Sequence, residues 1–272
     1  MNDRPRLHLD RVTAPDTPPE RWLVVLHGIY GAGRNWGSVA RRFVRERPAW
    51  GALLVDLRQH GASRGFSPPH TVAAAADDVV EAIRASDVET HAILGHSFGG
   101  KVALVATRVG IPGLRQAWVV DSTPGTREPE GSAWDMLAIL RRNPGPFDAR
   151  DGAVDALRGE GLPLPLARWM ATNVEEEGGV YRWRIDADDM EALLRSFFAE
   201  DAWDVLEAPP EGVSVHVVKA EDSSVLDEAA CERVEQAGRR EGRVHLHRVS
   251  GGHWVNADNP DALHALLLEH LA

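Results

Sequence analysis

The chain reads as an α/β protein: one doubly wound, mostly parallel sheet, with a helical insertion after the strand that ends at Asp121. This rests on three features. Continuous apolar runs at Trp22 to Leu26, Ala52 to Val55, Ala92 to Leu94 and Gln116 to Val120 have the pattern of strands buried on both faces. Amphipathic stretches alternate with these runs, as helices crossing between parallel strands do. The alternation lapses from about Thr123 to Trp203 and then resumes.

In order, Leu7 to Val12 alternates apolar and polar residues as an edge strand does, and a Pro-rich turn from Ala14 to Pro19 follows. The strand Trp22 to Leu26 runs into His27-Gly28-Ile29-Tyr30-Gly31-Ala32-Gly33, and Asn35 is placed to cap a helix over Trp36 to Glu46. Ala52 to Val55 ends in Asp56-Leu57-Arg58-Gln59-His60-Gly61-Ala62-Ser63, where an Asp56–Arg58 pair would brace the loop or Arg58 would meet an anionic substrate group. A helix over Thr71 to Ala85 leads to strand Ala92 to Leu94, helix Lys101 to Val109 and strand Gln116 to Val120. Lys101 reads as an ordinary residue of its helix. Amphipathic segments at Ser132 to Arg141, Ala149 to Leu157, Leu164 to Ala171 and Ala187 to Phe198 form the insertion, with its own small core. Strand Val213 to Lys219, helix Leu226 to Gly238, strand Val244 to Val249 and a helix from Pro260, capped by Asp258 or Asn259, complete the chain. The expected organisation is a core of 1–122 and 204–272 and a helical insertion of 123–203.

Composition narrows the function. A formal net charge of -11 argues against nucleic acid, whose phosphates are bound by Lys and Arg. The only cysteine, Cys231, permits no internal disulfide and reads as a packing residue. No apolar run approaches the ~18 residues of a membrane span, and the first ten residues lack the apolar core of a signal peptide. A cytoplasmic protein without stable membrane insertion is expected; the oligomeric state is not legible. Among the twelve histidines, His245 and His247 share one face of a strand, yet no carboxylate or cysteine accompanies them at ligand spacing, so no metal is expected. There is no phosphate-binding loop, and Gly31-Ala32-Gly33 lacks the third glycine of a dinucleotide fingerprint, so no cofactor is expected either.

The chemistry converges on Gly95-His96-Ser97-Phe98-Gly99, a G-x-S-x-G turn between a strand and a helix. Such a tight turn strains its central residue and lifts the Ser97 hydroxyl clear of the sheet, at a helix N-terminus that favours negative charge. A serine needs a base, and His253 in Ser250-Gly251-Gly252-His253 follows the last strand in the expected chain order. A carboxylate should orient that imidazole. Asp121, at the end of the strand after the elbow, and Asp222, after the penultimate strand, are both candidates. An oxyanion would be met by the backbone N–H of Phe98 and that of Ile29, with Tyr30 as the alternative second donor. Tyr30, Trp134 and Trp169 are placed to line an apolar substrate pocket.

The stretches HGIYG at 27–31, DLRQHGAS at 56–63, GHSFGG at 95–100, VVDSTPG at 119–125 and SGGHWV at 250–255 together resemble the α/β-hydrolase superfamily. Within it the chain resembles a branch of compact carboxylesterases and thioesterases with a small helical cap. DLRQHGAS is similar to that branch's D-x-R-x-H-G-x-S. Thr172-Asn173 followed by Gly178-Gly179-Val180-Tyr181-Arg182-Trp183-Arg184 resembles its cap pattern. The branch carries its acid in a V-D-x-x-P context, which implies Asp121. Many other superfamily members place it where this chain has Ser223, one residue from Asp222. A serine at position 97 sets the chain apart from the haloalkane dehalogenases and epoxide hydrolases, which need a carboxylate there. The resemblance implies a hydrolase of small acyl esters or thioesters acting through an acyl-enzyme on Ser97. Other activities compatible with the same residues are a cofactor-free perhydrolase or haloperoxidase-like reaction, and a non-catalytic binding protein of the same fold.

Overall fold

The computed structural model describes residues 5–271, so positions 1–4 and 272 of the expected core lie outside the described residues. Seven strands form the main sheet. They are β1 (Leu9–Val12), β2 (Arg21–Leu26), β3 (Trp50–Val55), β4 (Thr90–His96), β5 (Gln116–Val120), β8 (Ser214–Ala220) and β9 (Val244–Val249). Their order is β1-β3-β2-β4-β5-β8-β9. All neighbours are parallel except β1, which runs antiparallel to β3 with Leu9 opposite Val55. The alternation of β1 and the unbroken apolar runs of β2 and β3 reflect these places: β1 is partly exposed at the edge, whereas β3 is buried at every position. From β2 the chain steps outward to β3, then returns to the other side of β2 with β4. That reversal opens a crevice beyond the carboxyl ends of β2 and β4, where ligands bind in open α/β sheets.

Helices α1 (Gly37–Glu46) and α11 (Pro260–His270) cover one face, burying Val39, Phe43, Leu263 and Leu267 against Leu23, Leu94 and Trp118. Helices α2 (Val72–Ala85), α3 (Phe98–Val109) and α9 (Glu228–Glu241) cover the other. Caps set several of their starts: Thr71 accepts from the Ala74 N–H at 3.1 Å, Asp227 from Ala230 at 2.8 Å and Asn259 from Ala262 at 3.2 Å. Asn35 caps nothing. Its side chain accepts from the Ala32 N–H at 2.8 Å inside a 3-10 turn, Gly33–Trp36, and α1 begins one residue later.

Between β5 and β8, which are adjacent in the sheet, the chain makes an excursion. It contains α4 (Ser132–Arg142), α5 (Arg150–Gly159), α6 (Leu164–Met170), α7 (Ala187–Ala199) and α8 (Trp203–Glu207). It is not wholly helical. β6 (Val174–Glu177) and β7 (Val180–Trp183) form a hairpin whose two-residue turn, Gly178-Gly179, has φ of 62° and 83° at its two positions. Both lie in the left-handed region that such turns demand and that glycine alone enters freely.

Lys101 is no ordinary helix residue. It is wholly buried, and its Nζ donates to the carbonyl oxygens of Gly125 at 2.8 Å, Phe197 at 2.6 Å and Glu200 at 3.0 Å. The helix that follows Ser97 thereby grips the excursion near both its start and its end. Burial, reinforced by the nearby Arg127 charge, pulls the Lys101 ammonium down to about 7 against the attraction of Glu200 and Asp201.

Candidate active site

Ser97 sits between the end of β4 and the first residue of α3 with φ 53° and ψ -119°. This is backbone that a non-glycine residue holds only under constraint. The constraint is close approach. A Cβ on Gly95 would lie 2.0 Å from the Gly99 oxygen, and one on Gly99 would lie 2.5 Å from the His27 oxygen, so only glycine permits the turn and its contact with the β2 loop. The Ser97 N–H is bonded to the Val120 oxygen at 2.9 Å, which ties the elbow to β5.

Asp121 extends β5 with φ 43° and is completely buried. His253 Nδ1 donates to its Oδ2 at 2.6 Å, the Ser223 hydroxyl donates to the same oxygen, and the Ala220 N–H reaches Oδ1 at 3.2 Å. Burial alone would raise this carboxyl. The bonds from His253 and Ser223, the His253 charge and the Ala220 N–H outweigh it and hold the group below its ordinary value. Asp222, the alternative acid, is exposed at the cavity rim, and its recorded bond is through its backbone N–H to the Gly251 oxygen at 3.0 Å. The residue that reaches inward is its neighbour Ser223, and it reaches Asp121 rather than the imidazole.

His96 was not singled out from the sequence. It is buried, its Nε2 donates to the His253 backbone oxygen at 2.8 Å, and its ring lies 4.7 Å from that of His253. Burial, with the neighbouring His253 charge, drives it down to about 3, so it holds the His253 loop as a neutral donor.

The loop after β2 supplies one N–H that is free and one that is not. Tyr30 has φ 62°, and its N–H donates to His60 Nε2 at 3.1 Å, which removes it as an oxyanion donor. Among the described residues, the Ile29 and Phe98 N–H groups have no protein acceptor. A Cβ on Gly28 would lie 3.3 Å from the Ser97 Cβ, so this loop packs directly against the elbow. Two buried histidines hold it there. His60 Nδ1 donates to the Arg58 oxygen at 2.9 Å, while His27 Nδ1 donates to the Gly28 oxygen at 2.7 Å and its Nε2 accepts from the Leu57 N–H at 2.9 Å. Burial lowers both, His60 to about 3. The sequence signs of the two were their places in HGIYG and DLRQHGAS, each before a glycine, which mark the positions but not what the rings hold.

Asp56 and Arg58 do not pair with each other. Asp56 accepts from the Gly33 N–H at 2.7 Å and the Ala62 N–H at 2.8 Å. Arg58 lies 3.1 Å from Asp78 and donates to the Pro69 oxygen at 2.8 Å, buried away from the cavity.

Ser97, His253, Ile29 and Phe98 line one cavity of about 580 Å³ between the strand ends and the excursion, a size that suits a small organic ligand. Tyr30 and Trp169 are in its wall, with Met136, Leu194, Phe197 and Phe198. Trp134 is not. Helical phase turns Ser132, Ala133 and Met136 of α4 to the cavity and sets Trp134 against Phe198 at 6.1 Å, with the Arg195 guanidinium 5.0 Å from its ring. Tyr30 joins the two parts: its hydroxyl donates to the Ala133 oxygen at 2.7 Å, and its carbonyl accepts from Asn173 Nδ2 at 2.8 Å. Among the described residues, no helix is long and apolar enough to cross a membrane.

A seven-stranded, mostly parallel sheet with a strained serine at its switch point is the architecture of a hydrolase, and the chain belongs to the alpha/beta hydrolase family, whose model matches residues 23–266. It is similar to the sn-1-specific diacylglycerol lipase ABHD11 of Danio rerio, with 26% identity over 88% of this chain and 74% of that protein. Esterase YbfF of Escherichia coli (strain K12) is 28% identical over 44% of this chain and 45% of its own length. Among solved structures, a marine microorganism esterase superposes with a TM-score of 0.82 at 24% identity, covering 97% of this chain and 98% of that one.

Proposed function

We propose that this protein hydrolyses small carboxylic acyl esters or thioesters through an acyl-enzyme on Ser97. The observation that carries the reading is the 2.6 Å bond from His253 Nδ1 to the buried Asp121 carboxylate, in a residue that shares a cavity wall with Ser97. With Nδ1–H committed to Asp121, His253 presents Nε2 as the base that takes the Ser97 proton. The Ser97 oxygen attacks the acyl carbonyl, and the carbonyl oxygen, as it gains charge, is met by the Ile29 and Phe98 N–H groups at the start of α3. His253 then protonates the departing alkoxide or thiolate. Water, deprotonated by the same imidazole, releases the acid and restores the serine. Asp121 remains ionised throughout, and Ser223 and Ala220 support it.

The segment 123–203 acts as a cap over a core of 1–122 and 204–272, and its Met136, Leu194 and Phe198 favour an apolar acyl or alcohol group of modest size. The named relatives are a lipase and an esterase, which supports acyl-ester chemistry. A single buried cysteine suits a cytoplasmic setting.

A panel of p-nitrophenyl esters and acyl thioesters of increasing chain length, assayed on wild type and Ser97→Ala, tests this. The expected result is turnover of short to medium chains that falls by about 10⁴-fold or more in the variant. Turnover retained in Ser97→Ala would refute the reading.

A further inference from the structure

The sheet carries a second cluster of titratable side chains that ester hydrolysis does not use. His216 on β8, His247 on β9 and His270 in the last turn of α11 meet on the face that packs against α1 and α11. One ligand nitrogen from each lies within 4.8 Å of the other two, and His216 Nδ1 is 3.0 Å from His247 Nε2. The sequence alone places His245 and His247 on one strand face with no carboxylate or cysteine at ligand spacing; the parallel pairing of β8 with β9 brings His216 beside His247, and the return of α11 brings His270. His216, third of the seven residues of β8, and His247, fourth of the six of β9, sit within their strands and not in the segments beyond the carboxyl ends that carry Ser97, Asp121 and His253.

The geometry points to a tri-histidine site for a borderline divalent cation of the zinc class. Three imidazoles with no carboxylate among them suit Zn²⁺, Ni²⁺ or Cu²⁺ and not Mg²⁺ or Ca²⁺, which take oxygen ligands. A tetrahedral zinc with bonds of about 2.0–2.1 Å sets its nitrogens roughly 3.3 Å apart. The His216–His247 pair is already there, and the third ring closes by a shift on the order of 1 Å. The rings are prepared for it. Buried His216 lies flat on Trp118, with centroids 4.2 Å apart and planes 10° from parallel, and His247 is parallel to it within 4°. His247 and His270 are half-buried, so solvent, and a cation with it, reaches the cluster. In their present contact the hydrogen between His216 Nδ1 and His247 Nε2 belongs to one neutral imidazole; when the cation binds, that ring adopts its other tautomer, carrying the hydrogen on the nitrogen that faces away, and both rings coordinate as neutral ligands. Bound there, the cation staples two strands to the C-terminal helix, and this role is independent of the reaction at Ser97.

The test is calorimetric titration of tag-free, chelator-stripped protein with ZnCl₂. The expected result is one equivalent bound, at least about tenfold more weakly in His247→Gln and in His270→Gln, and unchanged within about twofold in His245→Gln. Both key substitutions are at half-exposed positions, and near-ultraviolet circular dichroism checks that the variants remain folded. A second readout needs no variant: Co²⁺ added to wild type should give intense visible absorption of a tetrahedral site, which Zn²⁺ then bleaches. No heat, no cobalt spectrum, or zinc binding indifferent to both substitutions would overturn the site and leave the three rings as packing and hydrogen-bonding groups only.

Discussion

Asp121 is buried among apolar strands, and a carboxylate there is stable only because three donors converge on it. Losing the anion leaves His253 without an orienting partner, so Asp121→Asn should lower kcat by roughly 10³–10⁴-fold. Asp222→Asn, at an exposed position, should stay within about twofold of wild type, a level set by the small effect of surface substitutions. Parallel steady-state kinetics on the two variants distinguish them, and the reverse ranking would move the acid to Asp222. Ser223→Ala removes one charge-assisted bond, and should cost about tenfold in kcat with KM little changed. Ser97 and His253 were legible because motif and chain order announce them. The roles of Ser223, His96, His60 and His27 were not: the three histidines fall within GHSFGG, DLRQHGAS and HGIYG, but each of the four acts on another residue's backbone or carboxylate, and the motif does not show which.

Secondary elements explain why the serine stands where it does. The β4–α3 turn and the β2 loop interlock through Gly95, Gly99 and Gly28, while Lys101, one turn into α3, holds the carbonyls of Gly125, Phe197 and Glu200. Lys101→Met would leave three inward-facing oxygens without their donor and should destabilise the protein by about 2–3 kcal/mol. Urea unfolding measures that loss, and limited proteolysis should cut faster between 123 and 203. Strands and crossover helices were visible as apolar runs and periodicity. The β6–β7 hairpin was less so, because Val174–Glu177 is mostly polar and only its glycine pair signals a turn. Trp134 was misplaced for a related reason: a helical period gives the apolar face but not which side of it meets the cavity.

Across the molecule, the buried neutral histidines set how stability responds to acid. His60 and His96 are held down to about 3 in the fold by burial, whereas the unfolded chain takes up their protons near 6.5. Their contribution is fully present above pH 6.5 and is lost as pH falls through the window down to about 3, by about 1.4 kcal/mol per pH unit for each. Asp121, lowered in the fold, adds to the same trend at more acidic pH. Urea denaturation at pH 5 should therefore give a stability about 2–4 kcal/mol below that at pH 7.5, and equal values would contradict the buried, neutral assignment. The sheet order and the histidine cluster are properties of this scale; strand pairing decides both, and no local pattern in the chain encodes which strands become neighbours.

The most direct test of the Ser97–His253–Asp121 arrangement is intact-protein mass after treatment with a fluorophosphonate, followed by peptide mapping, on wild type and on His253→Ala. One adduct per chain on Ser97, lost in the histidine variant, is the predicted result. An unlabelled, folded wild type, or an adduct on Ser97 that persists without His253, would contradict it.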